Sequence, residues 1–349
     1  MTGENLMALA ERALAHVDGD AQVTVVHERS LLSRFAGSRP TQATEVDDLD
    51  LRITAVRGGH TATAAANRFD DDALGAAGRR AARGAEAAAA TDRPASPYPG
   101  LPQASGPSRP HQGFDPATAQ LDPVAAGDAL RDIFAAGHER GLQTAGIWTA
   151  GAVRTAIASS TGLRASDAVT DAYLKVLCRD EAQRSGFAAQ ASTSVGELDP
   201  AGAARAAAAK VVPDEPVELA AGEYPAVLDA DAVGSLLEFL GALAFNGLAY
   251  AEDRSALSGR LGTRVAASAV NLADTPRVPG TLPRSFDAEG VAKAPLPLIQ
   301  DGVAHRVVHD IRSAAVAGAG ARSTGHAVAA GGAAAGPLPR NLVLTGGGG

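Results

Sequence analysis

His305 and His309 stand four residues apart in the stretch DGVAHRVVHD, with Asp310 directly behind them. On a helix this spacing would turn both imidazoles to one face, where a zinc ion could bridge them. The apolar neighbours in GVAHRVV instead predict a strand, on which the same spacing merely shares one sheet face. No HExxH order supplies a catalytic glutamate. A self-contained metallohydrolase using His305, His309 and Asp310 is therefore the alternative enzymatic reading.

Asp287 and Glu289, in SFDAEGVAK, alternate on an extended segment and could form an acid–base pair. A turn stabilised by Asp287 ahead of Gly290 explains them equally well. In GAGARSTGH, residues 318–326, the glycines imitate a phosphate loop, but the Walker lysine is missing. Ser323 and His326 could act as nucleophile and base, although no G-x-S-x-G elbow supports that. The His27-Glu28 and His138-Glu139 pairs have no second histidine four or five residues on. Cys178 is the single cysteine, which excludes an intramolecular disulfide and a cysteine-based zinc cluster. It lies in an alternating stretch and reads as a small buried apolar residue.

These side chains must be held by elements built from an alanine- and glycine-rich chain. Of 349 residues, 46% are hydrophobic and 4% aromatic, so the core is made of small aliphatic groups. A net charge of −8 argues against a general nucleic-acid binder, which needs a basic footprint. Leu6, Leu9, Ala10, Ala13, Leu14 and Val17 predict an amphipathic N-terminal helix. Its two acids, and the lack of a basic region before an apolar run, do not fit a signal peptide. No stretch approaches a membrane span, and the expectation is a soluble, cytoplasmic protein.

AQVTVVHE, LDLRITAV and HTATAAAN predict a β-meander, the last two flanking Gly58-Gly59, a hairpin signal. A helix follows behind Asp70, Asp71 and Asp72. Residues 94–123 hold eight of the twenty prolines and predict a long exposed loop. Beyond a third helix, Ala150-Gly151 and Thr161-Gly162 are expected to punctuate three antiparallel strands. One more strand and an alanine-rich helix complete an N-terminal α+β domain over residues 1–212. VPDEPVEL marks a boundary to a C-terminal α+β domain, residues 213–349. There GEYPAVLD predicts a strand and an acidic cap. The next helix is expected to bury a face of Leu236, Leu237, Leu240, Leu243 and Ala244. The remainder is expected to be strand and loop. Sheets and helices coming in runs favour α+β over a doubly wound fold.

Several stretches, in order, resemble the TldD/PmbA (TldE) family, once called modulators of DNA gyrase and regarded as peptidases. They are SLLSRFAGSRPTQ, NRFDDDALGAAGRRA, PAVLDADAVGSLLEFLGALAFNG, the run from RSALSGRLGTRV to HDIRSA, and STGHA. The resemblance implies a two-domain α+β fold with sheets packed by helices. TldD-type members carry HExxxH on the zinc-binding helix shortly before the S-x-x-S-G-x-x-G segment, here Ser255, Ser258, Gly259 and Gly262. Counting back from Ser255, the motif positions fall on Glu238, Phe239 and Leu243, none of which can stand in for its counterpart.

The likeness is thus to the PmbA/TldE-type subunit. It implies no catalytic residue and no metal in this chain, zinc in an HExxxH-bearing TldD-type partner, and a heterodimer that degrades unfolded peptides. Peptide-path or motif positions would be Ser255, Ser258, Gly259, Gly262, Asp287, Glu289, Gly290, Ser323, Thr324, Gly325 and His326. The family continues past PLPRNLVLTGGG, so the C-terminal domain is expected to be shortened. The old family name implies a third reading, a non-enzymatic regulatory interaction protein, with the acidic charge weighing against direct contact with nucleic acid.

Overall fold

The computed structural model describes residues 2–91, 98–104, 108–212, 215, 217–278 and 280–346. Helix α1, Gly3–Leu14, starts where the Thr2 hydroxyl accepts from the Asn5 N–H, and it buries Leu6, Leu9, Ala10 and Ala13. The meander follows as β1 (Ala21–Ala36), β2 (Arg39–Arg57) and β3 (His60–Ala66). Both hairpins turn on residues with positive φ. Gly37 and Ser38 lie at 58° and 56°, Gly58 and Gly59 at 53° and 76°, which are the primed geometries that match strand twist. Helix α2, Asp71–Ala89, is capped by Asp70.

After the extended run that contains Tyr98 and Leu101, α3 (Pro123–His138) begins with Asp122 as cap and proline in its first turn. Strands β4 (Gln143–Ser159), β5 (Arg164–Arg179) and β6 (Ser185–Ser192) and helix α4 (Pro200–Ala209) complete this half. The six strands form one antiparallel sheet in the order β3-β2-β1-β4-β5-β6.

The odd residues of β1 explain how the helices sit. Val23 and Val25 lie in one core with α1 and α2, whereas Leu31 and Phe35 lie in another with α3 and α4. Alternate residues share a face, so both helix pairs cover the same side of the sheet, one at each end. Alanine lines both helix pairs, from Ala77, Ala81 and Ala85 to Ala203, Ala204, Ala207 and Ala208. Small side chains let helices and sheet approach closely where aromatics are scarce.

The second half contains α5 (Ala230–Leu243), α6 (Gly247–Ala251), β7 (Asn271–Asp274), β8 (Leu296–Gln300), β9 (Val303–Ala304), α7 (Ile311–Ala317) and β10 (Leu342–Thr345). Its strands form a separate antiparallel sheet, β10-β7-β8-β9, around Leu272, Leu296, Leu298, Ile299 and Val308. The protein is α+β, and its described residues form two antiparallel sheets with helices packed on them. The halves meet across the other face of the large sheet. There Gln22 Nε2 donates to the Ala288 carbonyl (2.8 Å), and Phe286 packs with Ile157 and Leu163.

Four expectations are corrected. Ala150-Gly151 does not break a strand but lies inside β4, opposite Ala172 and Asp171, so two long strands stand where three were expected. Residues 221–229 are exposed and form no strand. The C-terminal part holds two short helices, α6 and α7, and not strands and loops alone. Of the face expected to be buried on α5, Ala244 is buried and Leu237 partly so, but Leu236, Leu240 and Leu243 are 52%, 43% and 63% exposed, with Phe239 beside them at 67%. The buried side runs through Gly241, which faces Pro339, and the partly buried Leu237. The predicted boundary and proline-rich loop fall partly on residues 213, 214, 216, 94–97 and 105–107, and the chain end on 347–349, all outside the described residues.

Candidate functional site

Asp274, the last residue of β7, is wholly buried and collects four polar partners. Its Oδ2 accepts from the backbone N–H groups of Arg340 and Asn341 at 2.8 and 2.9 Å. Its Oδ1 lies 3.3 Å from both Lys293 Nζ and His326 Nε2. Burial pushes the Asp274 carboxyl upward, but His326, Lys293 and the backbone donors outweigh it and hold the group well below the usual carboxylate range. Burial lowers the Lys293 ammonium, against the pull of Asp274. It also lowers His326, whose Nδ1 lies 3.0 Å from the Thr324 hydroxyl.

Beside this group the loop between β7 and β8 turns sharply at Asp287. Asp287 Oδ1 accepts from the N–H groups of Glu289 and Val291, both at 3.0 Å, and Oδ2 from Ala327 at 2.8 Å. Gly290 closes the turn at φ 82°, with Leu163 so near that a Cβ would lie 2.7 Å from its methyl carbon. Glu289 is also buried, and its Oε2 accepts from the Ile311 N–H at the start of α7 (3.0 Å). Its Oε1, the Tyr98 hydroxyl and Asp310 Oδ2 are buried without a hydrogen-bond partner among the described residues. Burial raises Asp287 to about 6 against its three backbone donors. Burial, followed by the charge of Asp287, raises Glu289 to about 8. Burial and Glu289 push the Tyr98 phenol up as well.

The turn expected at Asp287 is present. Asp287 builds the turn, and the two carboxyls share one low-dielectric setting. The structure brings together Asp287, Glu289, Gly290 and residues 323–326, and adds five that sequence reasoning missed: Tyr98, Asp274, Arg284, Lys293 and Arg340. Lys293, a lone charge in the apolar run GVAKAPLPLI, was the signal available.

Ser323 and His326 do not form a nucleophile–base pair. The Ser323 hydroxyl instead donates to the His309 carbonyl (3.4 Å) and accepts from the Gly325 N–H (3.3 Å). Thr324 is the hydroxyl beside His326, but it also accepts from the His309 N–H (2.8 Å), which ties it to the loop. Ser255, Ser258, Gly259 and Gly262 lie apart from this group. The Ser255 hydroxyl donates to the Ala244 carbonyl (2.6 Å) and fixes the exit from α5. The Ser258 hydroxyl is buried without a partner among the described residues, Gly259 turns at φ 68°, and Gly262 donates to Ala304 (2.7 Å).

The α5 positions do not fit a zinc ion. Glu238 is a single carboxylate, while Phe239 and Leu243 have no lone pair to offer. His305 is exposed after β9, and His309 packs against Ser313, its Nδ1 3.2 Å from that hydroxyl. Among the described residues, no three His, Cys, Asp or Glu side chains stand close enough to hold a metal ion. Cys178 is buried in β5, as expected. Among the described residues, no helix is long and apolar enough to cross a membrane.

Residues 221–349 match a family model described as the PmbA/TldA metallopeptidase C-terminal domain. Three crystal structures share the fold over 99% of this chain and 77% of their own. One is a proposed modulator of a DNA gyrase from Thermotoga maritima MSB8 (TM-score 0.80, 20% identity). The second is TldE from Thermococcus kodakarensis (0.77, 19%), and the third a proposed modulator of DNA gyrase from Bacteroides thetaiotaomicron VPI-5482 (0.77, 18%). No curated protein sequence matches the chain.

Proposed function

We propose that this chain, whose residues 221–349 match the PmbA/TldA metallopeptidase C-terminal domain and whose fold is that of TldE, is the non-catalytic subunit of a TldD/TldE-type zinc metallopeptidase complex. In this reading an HExxxH-bearing homologue holds the zinc, and the two chains together enclose the path along which unfolded peptides reach it. The complex would be cytoplasmic, with no direct contact to nucleic acid.

The observation that carries the reading is the solvent-facing stripe of α5. Leu236, Phe239, Leu240 and Leu243 lie exposed on a helix that is followed by the buried Ala244 and Phe245. Exposed contiguous apolar surface of this kind marks an interaction site. The same helix, by residue type, lacks the ligands for a metal. A helix that has lost ligands while keeping an outward apolar face suits a subunit that packs against its active counterpart. Equivalent surfaces of two related chains meet across a pseudo-twofold axis.

Co-expression with the HExxxH-bearing homologue from the same genome tests this. The expected product is a 1:1 complex with zinc-dependent cleavage of unfolded peptides. Activity should be lost, with the complex intact, when the partner's motif glutamate is replaced. Phe239→Asp in this chain should prevent assembly. Two chains that elute separately, or peptide cleavage by this chain alone, would overturn the proposal.

A further inference from the structure

Two arginines face a shared space with no ion-pair partner in contact among the described residues. Arg284 and Arg340 both line a cavity of about 220 Å³ and a neighbouring groove of about 570 Å³. Among the described residues neither guanidinium forms an ion pair. Arg284 donates only to the carbonyl of its own neighbour Pro283 (3.3 Å), and Arg340 makes no side-chain hydrogen bond. Asp167 and Asp171 lie near enough to Arg284 to be felt through the field, but not in contact with it. The two guanidinium groups repel each other.

Other charges on the cavity wall are already engaged. Both oxygens of Asp287 accept from backbone N–H groups. Lys293 and His326 turn to the buried Asp274. What remains directed at the space is a pair of forked, permanently charged donors. Such forked donors bind a carboxylate or a phosphate with two parallel hydrogen bonds, and the neighbouring surface decides between them.

The groove beyond the arginines has different chemistry. Leu237 and Ala242 of α5, with Leu282, Leu338, Pro339 and Leu342, give it apolar walls, and Glu238 is the single acid on them. A ligand that fills both spaces carries its negative charge at one end and an aliphatic group next to it. An apolar pocket with a few convergent polar groups is the usual form of a small-molecule or peptide site.

We propose that the cavity between Arg284 and Arg340 binds a carboxylate carried on an aliphatic group, with the aliphatic part lying in the groove against α5. The C-terminus of a peptide and a free branched acid both present this chemistry. Binding uses residues of this chain alone and does not depend on a second subunit, so its failure would leave the pairing proposal standing.

Calorimetric titration of the purified chain provides the test, with acetyl-alanyl-leucine, its C-terminal amide, isovalerate and inorganic phosphate as probes. The free peptide acid is expected to bind, with the amide weaker by about tenfold or more, because the charge-assisted bonds are lost. Arg340→Gln should weaken the acid to a similar extent, while Arg340→Lys restores part of the affinity. Arg340 is exposed, so its variants keep the fold, which circular dichroism checks. Isovalerate binding as tightly as the peptide acid would identify a free acid as the ligand, and weaker isovalerate binding a peptide end. Both outcomes support a carboxylate site. Equal binding of acid and amide, no binding of either, or displacement of the acid by equimolar phosphate would overturn it.

Discussion

Glu289 is held neutral by its surroundings, and that has a sign that can be measured. Its pKa rises from 4.5 to about 8 on folding, through burial and the neighbouring Asp287. A carboxyl with a raised folded-state pKa contributes stability that is fully present below its unfolded value and lost as pH rises through the folded one. Wild-type protein is therefore expected to lose stability between about pH 4.5 and 8 from this group. Glu289→Gln should remove that slope, since glutamine stays neutral. The lowered His326 and His309 act in the opposite sense below 6.5, but they are common to both proteins and cancel in the difference. Urea midpoints at pH 5, 7 and 9 decide the matter, and parallel curves would refute the assignment. Asp287 is a separate case, because three backbone donors depend on it. Asp287→Ala should cost on the order of 3 kcal/mol or more, and Asp287→Asn less, because one oxygen keeps two of the bonds. Sequence alone pointed to Asp287, Glu289 and His326, since they lie close together in pattern-bearing stretches. Tyr98, Asp274 and Arg340 could not be found that way, because each joins the group through tertiary contacts between segments distant along the chain; Arg284 lies three residues before Asp287, but its type alone does not mark it.

Elements were more legible than residues wherever periodicity and turn chemistry agreed. Gly58-Gly59 marked a hairpin, and Asp70 and Asp229 marked helix starts, because primed turns and N-caps restrict residue type. Strand length was not legible. Ala150-Gly151 looked like a break, yet β4 passes through it, since pairing on both sides outweighs the weak strand preference of glycine. Helix α5 shows a different limit. Its spacing predicted an apolar stripe correctly, but periodicity does not say whether the chain's own core or another surface covers it. The consequence is a contrast between two substitutions. Phe239→Asp, at an exposed position, should change monomer stability by no more than about 0.5 kcal/mol. Leu298→Ala, at a wholly buried position of β8, should cost about 2–5 kcal/mol. Denaturant titration of the isolated chain checks both. A large loss from Phe239→Asp would return α5 to the core and remove the support for a docking face.

At the scale of the whole molecule, the question is whether the two sheets unfold together. Element order indicated α+β, and the family resemblance implied two domains with sheets packed by helices, but nothing in the sequence showed that the second half would close over the open face of the first. That contact is specific. Asp167 of β5 accepts from the Ser285 N–H (3.0 Å) and hydroxyl (3.1 Å), while His111 Nε2 lies 2.8 Å from the same carboxylate. Phe286 packs on Ile157 and Leu163, and Tyr98 joins Val56 and Leu101 to Ile311. Removing Asp167 would leave two donors of Ser285 and the buried His111 unsatisfied at the junction, which weakens the junction while leaving both cores intact. Trp148, the single tryptophan, is buried in the core beneath α3 and α4 and reports on the first half alone. Far-UV circular dichroism reports on both halves. In wild-type protein the two transitions should coincide, as they do for a cooperative unit. In Asp167→Ala the dichroism signal should begin to fall before the tryptophan signal, as the second sheet separates first with its smaller core. Transitions that remain superimposed in the variant would show that the apolar contacts around Phe286 couple the halves without Asp167.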